Sequence, residues 1–353
     1  MNKTAHLPFR LLQDNIRDPF LHFAVEETLL RRMDEGTSPP TLRLRTVIPS
    51  VFVGVYQYPE EDVDVAYCQL HQIPIVRRPN PGGAVYQDEG SFCYSLFFIK
   101  EPCFRHWGIS EPDQLYGLIG EAVKSCCADF GVAAEISPVN DVTINRRKVY
   151  GSAQVLLYNA FVHSGSFLVN TNINTMQQVL KPSLLKFADK GFLNVRDRVI
   201  NLQEAAHRDL LIDEVTHCLV FHLANQLGIK LEPGELSPVE LAAARELYDE
   251  KYSKPEWTFR SKPVYTHMVS TKAKSGVIGL SVALAGDIIT EISIKGDFLI
   301  PEQQKLTDLM ESCRDKSIGE IPIKICHGHL PEDIREGLLK LVKELEERVH
   351  EQQ

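Results

Sequence analysis

The 353-residue chain lacks any run of roughly 18 uninterrupted apolar residues, the length a membrane helix needs. No membrane span is expected. Its first residues, Met1-Asn2-Lys3-Thr4-Ala5-His6, lead into no apolar signal core, so secretion is not indicated and a cytoplasmic setting is expected. Basic charge is in deficit: 38 Lys and Arg stand against 47 Asp and Glu, a net charge of −9. A dedicated nucleic-acid binder usually carries a basic footprint, so that class is disfavoured, although a local basic pocket for a phosphate is not. Cysteine pairs are also missing. Cys68, Cys93, Cys103, Cys126, Cys127, Cys218, Cys313 and Cys326 contain no CxxC, and adjacent Cys126-Cys127 is a poor metal or disulfide arrangement. Reduced, buried thiols are the plainer reading. Neither GxGxxG nor GxxxxGK[ST] occurs, which removes the dinucleotide fingerprint and the P-loop. There is no internal repeat and no low-complexity run.

What is present describes an ordinary globular protein: 44% hydrophobic and 24% charged residues. The length corresponds to about two domains, with three possible. Asp18-Pro19 opens a helix, a cap residue followed by proline at the first helical position. Phe20, Phe23, Ala24, Leu30 and Met33 form its apolar face, with Glu26, Glu27, Arg31 and Arg32 mostly outside. Strands are expected at 41–45, 51–56, 73–76 and 93–99, and a weak helix at 62–70. A helix follows at 112–130. Residues 142–144 and 149–151 read as hairpin arms around Asn145-Arg146, continuing into 153–157 and 160–169. Helices return at 203–226 and 238–251. Lys254-Pro255-Glu256-Trp257 marks a boundary. Beyond it, strands at 277–284 and 288–294 and an amphipathic helix at 334–349 make a smaller α+β unit. Many short strands with packed helices indicate α+β with a largely antiparallel sheet.

Three segments could carry chemistry. Arg77-Arg78-Pro79-Asn80-Pro81-Gly82-Gly83-Ala84-Val85-Tyr86 combines fork-shaped cationic donors with glycines that expose backbone N–H groups, a plausible cradle for an anion. On residue types alone, a surface turn with solvated arginines is an equal reading. Asn140-Asp141 followed by Arg146-Arg147-Lys148-Val149-Tyr150-Gly151-Ser152-Ala153 places a lysine near a strand start, from which it could reach a phosphate. Alone, it reads more simply as a hairpin with a solvated basic turn. In Phe161-Val162-His163-Ser164-Gly165-Ser166, His163 alone reads as a hydrogen-bonded structural histidine.

In this order and spacing the three resemble the lipoate–protein ligase family of the biotin/lipoate ligase superfamily. Phe23-Ala24-Val25-Glu26-Glu27 matches the family's N-L-A-x-E-E helix, and Gly54-Val55-Tyr56-Gln57-Tyr58 its G-R-x-Q-N element. Arg77 to Asp88 matches R-R-x-S/T-G-G-G-A-V-Y-H-D, Arg146 to Ala153 matches G-R-K-[IV]-S-G-S-A, and His163 to Leu168 matches H-H-G-T-L-L. The step of 17 residues from Lys148 to Gly165 suits the family. Trp257 and the Ile292–Phe298 segment resemble the family's C-terminal accessory domain, so nearly the whole chain is covered.

The resemblance implies an α+β fold: a large ligase-like catalytic domain with a mixed, mostly antiparallel sheet over residues 1–252, and a small accessory domain over 253–353. It implies that a lipoate (or similar medium-chain) carboxylate attacks the α-phosphorus of ATP, and that a carrier lysine then attacks the acyl-adenylate. Lys148 would be the catalytic cation. Arg77, Arg78, Gly82, Gly83, Ala84, Val85, Tyr86, Asn140, Asp141, Gly151, Ser152, Ala153 and His163 would bind lipoate or ATP. Asp141 would serve Mg²⁺, and Val53, Tyr86 and Tyr94 would wall the acyl slot. The implied partners are lipoyl domains of 2-oxoacid dehydrogenase acyltransferase subunits or the glycine cleavage H-protein, with the enzyme a monomer and residues 251–260 its hinge.

The sequence departs from the family pattern at Asn80-Pro81, Gln87, Val55, Tyr58, Tyr150 and Ser164. Pro81 removes one backbone donor and fixes φ. Two other readings follow. One is an octanoyl or lipoyl carrier-to-carrier transferase, which would use a cysteine thioester near the lysine motif, where this chain has none. The other is a non-catalytic lipoyl-domain binder, which the departures favour and the retained Lys148 with Gly151-Ser152-Ala153 opposes.

Overall fold

The computed structural model describes residues 6–352 except 138, 158, 182–193, 261–262 and 301. Met1 to Ala5, part of the N-terminal reading above, lies outside the described residues.

Among the described residues the strands are β1 (Leu7–Gln13), β2 (Thr41–Arg45), β3 (Ser50–Val53), β4 (Ile75–Arg77), β5 (Val85–Gln87), β6 (Ser91–Ile99) and β7 (Glu135–Ser137). They continue with β8 (Asp141–Ile144), β9 (Arg147–Leu157), β10 (Ala160–Leu168), β11 (Ile229–Gly234), β12 (His267–Ala273), β13 (Gly276–Ala285) and β14 (Ile288–Gly296). The main sheet runs β11-β1-β2-β6-β10-β9-β8-β7, parallel at β11-β1-β2 and antiparallel elsewhere. A small sheet, β4-β3-β5, stands beside it, and β12-β13-β14 form a third.

The Pro19–Asp34 helix starts where the sequence places it. Asp18 accepts from the N–H groups of Phe20 and Leu21 at 2.8 and 3.2 Å, with Pro19 at the first turn. Its expected polar face holds at exposed Arg31 but not at the two glutamates. Glu26 and Glu27 are buried, because the helix is covered on one side by the main sheet and on another by the Pro238–Leu247 helix and the turn 248–252. Each buried carboxylate is paired: Glu26 with Arg43 at 2.9 Å, Glu27 with Lys251 and the Tyr252 hydroxyl, both at 2.6 Å.

Other expectations shift at element ends. The 203–226 helix is two, Leu202–Ala206 and Ile212–Leu227, because His207 adopts a left-handed φ of +53° between them. The 142–151 hairpin forms as expected, with Asn145 and Arg146 at φ +50° and +65°, the signature of a two-residue type I′ turn. β12 has no clear alternation and was absent from the sequence reading. It pairs with β13 from His267 to Ala273.

The third sheet packs with the Gln304–Cys313 and Glu332–Gln352 helices around its own core, in which Ile278, Val282, Ile334, Leu338, Leu341 and Leu345 are fully buried. It meets the large unit at a few points. The Gly296 N–H donates to the Tyr56 carbonyl, Phe298 stacks on Tyr56 at 5.3 Å, Lys295 pairs with Glu61 at 2.9 Å, and Gln303 Nε2 donates to the Pro79 carbonyl at 2.6 Å. No described helix is long and apolar enough to cross a membrane.

Candidate active site

A cavity of about 520 Å³ opens on the face of the main sheet that the small sheet overhangs. Its position follows from strand register. Arg45 on β2 lies opposite Cys93 on β6, Cys93 opposite Ser166 on β10, Ser166 opposite Gly151 on β9, and Gly151 opposite Asp141 on β8. Directly opposed side chains share a face, and all five residues line the cavity. The cavity therefore crosses five strands, with Asp141 at one end and Arg45 at the other.

Lys148 stands at the Asp141 end through a local irregularity. The register of β8 against β9 slips between Val142 and Thr143, so Thr143 opposes Lys148 while Val142 opposes Tyr150. The extra residue, Val149, is wholly buried. In a regular strand, residues three apart point to opposite faces. The bulge brings Lys148 onto the face of Gly151. A β-carbon on residue 151 would collide with the Lys148 side chain, so glycine is what lets the lysine lie across the sheet. Its ammonium pairs with Asp141 at 2.6 Å, and both side chains keep about a third of their surface open. Asn140 positions the aspartate: its side-chain amide donates to the Ser152 carbonyl at 2.5 Å, and its own carbonyl accepts from Ser152 N–H and Oγ.

The glycine-containing loop forms the other wall. Gly82 has φ +101°, closed to most side chains, and its carbonyl presses so closely on Gly54 that a β-carbon there would overlap it. Arg78 is buried beneath the loop and donates to the carbonyls of Phe52, Pro81 and Gly83 at 3.0, 3.1 and 2.7 Å. Burial lowers its pKa to about 10, so the guanidinium stays charged at neutral pH. Arg78, Gly82, Gly83, Ala84, Val85, Tyr86, Asn140, Asp141, Lys148, Gly151, Ser152 and Ala153 all line the one cavity.

Arg77 and His163 do not. Arg77 is completely buried, and its guanidinium donates to five backbone carbonyls: Gly54, Val55, Gln57, Trp257 and Thr258. It staples two segments and has no donor pattern left for phosphate. His163 is completely buried between the Tyr150 hydroxyl and the Gln154 amide, each at 3.2 Å, and burial lowers its pKa to about 3. It is a neutral ring at physiological pH. Tyr94, expected as an acyl wall, bonds Tyr150 at 2.6 Å behind the lining, and Val53 is likewise behind it.

The cavity also takes in residues that the sequence reading missed. Arg146 and Arg198 stand near Lys148, and Arg45 at the far end. The Lys148 N–H bonds the Arg198 carbonyl at 2.7 Å, so Arg198 is delivered by a long-range backbone pairing with no local motif. Arg45 had a signal: arginine at alternate positions of a strand, with glutamates on a neighbouring helix. Leu299, from the small unit, closes the rim beside Gly82. With Arg45, Arg78, Arg146, Lys148 and Arg198 against Asp62, Glu135 and Asp141, the lining is net cationic in a chain of net charge −9.

Cys93 is the cysteine in this wall. Its thiol donates to Gln87 Oε1 at 3.3 Å, and burial raises its pKa, which disfavours a thiolate nucleophile. Among the described residues, one His/Cys/carboxylate group has metal-ligand proximity, Asp129, Cys218 and His222, and none of the three lines the cavity.

Residues 18–224 match the family described as the lipoyl protein ligase A/B catalytic domain. The chain is similar to lipoate–protein ligase 2 of Staphylococcus aureus, with 31% identity over 254 residues, 71% of this chain and 73% of that one. A chain from the structural analysis of a bi-partite lipoate protein ligase and its E2 lipoyl domain from Thermoplasma acidophilum superposes with TM-score 0.62 at 29% identity, covering 74% of this chain and 99% of that one. A lipoate-protein ligase A bound with ATP superposes with TM-score 0.60 at 28% identity, covering 72% and 98%.

Proposed function

We propose that this chain, which belongs to the lipoyl protein ligase A/B catalytic-domain family, is an ATP-dependent lipoate–protein ligase. It activates lipoate or a similar medium-chain acid and transfers the acyl group to a lysine of a lipoyl carrier domain. The observation that carries this reading is Lys148, turned by the bulge across Gly151 into a net cationic cavity.

Two anions must meet for the first step, a carboxylate and the α-phosphate. Lys148 sits where both would lie. Its present partner is Asp141, and a bound polyphosphate would compete for the ammonium. As the carboxylate oxygen bonds to the α-phosphorus and pyrophosphate leaves, negative charge builds on the phosphoryl oxygens. A pre-placed ammonium stabilises that charge without reorganisation. Arg146 and Arg198 lie close enough to the same end to serve the nucleotide phosphates. Arg78 acts indirectly, by holding the Pro81 and Gly83 carbonyls and so the course of the loop that lines the cavity. The apolar chain would lie along Phe23, Phe52, Val85, Tyr86, Leu168 and Met176. In the second step the carrier amine attacks the acyl carbon and AMP departs.

Asp141 and Glu135 bring carboxylate oxygens to the phosphate end of the cavity, a donor type that suits Mg²⁺ alongside substrate phosphates. A Mg²⁺ there would neutralise polyphosphate charge. The lipoyl domain of a 2-oxoacid dehydrogenase acyltransferase or a glycine cleavage H-protein is the carrier we favour, with the ligase acting as a monomer in the cytoplasm.

We assign residues 1–252 as the catalytic domain and 253–353 as the accessory domain. Residues 251–260 are anchored to the large unit through Lys251–Glu27, Arg77 with Trp257 and Thr258, and Arg260 with the Val55 carbonyl. Any swing of the small unit would therefore pivot beyond Arg260 and carry Leu299 away from the rim.

The test is an intact-mass assay with ATP, Mg²⁺, lipoate or octanoate, and an apo lipoyl domain. The carrier should gain the acyl mass and pyrophosphate should be released. Lys148→Ala should abolish both. Full activity in that variant would remove the role given to Lys148.

A further inference from the structure

The end of the cavity away from Lys148 is built unlike a slot for a plain hydrocarbon. Across β2, β6, β10 and β9, Arg45 is three strand spacings from Gly151, or about 14 Å at 4.7–4.9 Å per spacing. An eight-carbon acid, at roughly 1.2 Å of extension per bond, spans about 10 Å. With its carboxylate near the Lys148 ammonium, which reaches inward over Gly151, its last carbons would arrive beside Arg45.

The polar groups at this end are already spoken for, with one exception. Ser164 bonds Ser95 at 2.8 Å and receives Asn80 Nδ2 at 3.4 Å; Ser166 accepts from Gln87 Nε2 at 2.6 Å; Cys93 donates to Gln87. Arg45 Nε donates to His22 Nε2 at 3.1 Å, and its Nη2 lies 3.6 Å from Glu26. Its Nη1 is buried with no hydrogen-bond partner. The side chain is 3% exposed and lines the cavity. A buried guanidinium nitrogen left unpaired is costly, and a ligand acceptor would relieve that cost.

The charge of the cluster says which kind of acceptor fits. Arg43 and Arg45 face Glu26 and Asp14, with Arg43 bonding both carboxylates, and His22 is held neutral by burial and by the two arginines. The four ionised groups balance. A carboxylate or phosphate would import an uncompensated charge, whereas a neutral oxygen would not. Phe23 and Phe52, edge to face at 4.7 Å, supply apolar surface beside it.

We propose that Arg45 Nη1 forms a subsite for the far end of the acyl chain, selecting medium-chain acids that carry a neutral hydrogen-bond acceptor there, such as a hydroxyl or keto oxygen, over acids ending in a methyl group. This rests on the ligase reading, because it places the carboxylate at Lys148.

The experiment measures equilibrium binding of octanoate and 8-hydroxyoctanoate to the full chain by calorimetry, and pyrophosphate release with each. The hydroxy acid should bind about tenfold or more tightly, the scale of one hydrogen bond to a charged donor. Arg45→Met should abolish that preference. Because that variant leaves Glu26 one partner short, Arg45→Met/Glu26→Gln is measured alongside, with folding checked by thermal melting. Equal affinity of the two acids for the wild-type protein, failure of both to bind, or a preference that survives in both variants would overturn the proposal. Pyrophosphate release without discrimination would remove the subsite and leave the ligase reading standing. A preference lost with Arg45 but no release from any acid would do the reverse.

Discussion

A methyl group at position 151 would occupy the space through which the Lys148 side chain crosses the sheet. Gly151→Ala is expected to displace the ammonium rather than unfold the strand. Pyrophosphate release should fall roughly 10- to 100-fold, the cost of an ångström-scale misplacement of a reacting partner. The melting temperature should move by only a few degrees, and a large drop would show that the glycine serves packing instead. Residue types in their order and spacing marked Lys148, Asp141 and the glycines only through the family they resemble, since the lysine segment alone reads as a solvated hairpin. They could not tell which of the adjacent Arg77 and Arg78 faces the cavity. That depends on which carbonyls surround each guanidinium, and those come from residues 52–57, 81–83 and 257–258. His163 looked like a ligand because the family pattern has histidine there, yet strand register sends it to the opposite face from Ser164 and Ser166.

Elements in this fold are joined by buried arginines as much as by apolar packing. Arg77 ties β4, the 54–57 turn and the Pro255–Thr258 helix together. Arg77→Lys keeps the charge but cannot fork to five carbonyls. It should cost about 2–4 kcal/mol by denaturant unfolding, since several buried acceptors lose their donor. Arg10 and Glu240 join β1 to the Pro238–Leu247 helix through a two-pronged contact at 2.9 Å. Burial alone would raise the Glu240 pKa, but hydrogen bonds from Arg10, Ser38 and the Ser237 N–H outweigh it and leave the value at about 2. A depressed carboxylate stabilises the fold above its unfolded pKa near 4.5 and ceases to do so as pH falls through its folded value. The stability gap between wild type and Glu240→Gln should therefore be constant above about pH 5 and close between about pH 4.5 and 2, as read from urea midpoints. Period-2 and period-3.6 patterns located most of these elements. They misjudged the Pro19–Asp34 helix at Glu26 and Glu27, which are interior because ion pairs replace water.

At the scale of the whole molecule, the segment just past the proline-marked boundary keeps hydrogen bonds to the large unit. The proposed split near residue 252 separates two hydrophobic cores, but residues 253–260 stay with the first. A chain ending at Glu250 loses Lys251, Tyr252, Trp257 and Thr258, and so takes two partners from Glu27 and two of the five carbonyls from Arg77. A chain ending at Arg260 keeps them. The shorter truncation should melt several degrees lower than the longer one, and equal melting temperatures would contradict the anchoring. By itself the sequence determined the α+β class, the elements of the hairpin, the ordered run of ligand-facing motifs and the family they resemble. Those depend on local period, turn chemistry and the short-range spacing of residue types. Only the tertiary structure decided that Arg77 is a staple, that His163 is a neutral core ring, and that Arg45, Arg146 and Arg198 join Lys148 around one cavity. Those outcomes depend on which strands are neighbours and in what register, and register is set by contacts between residues far apart in the chain.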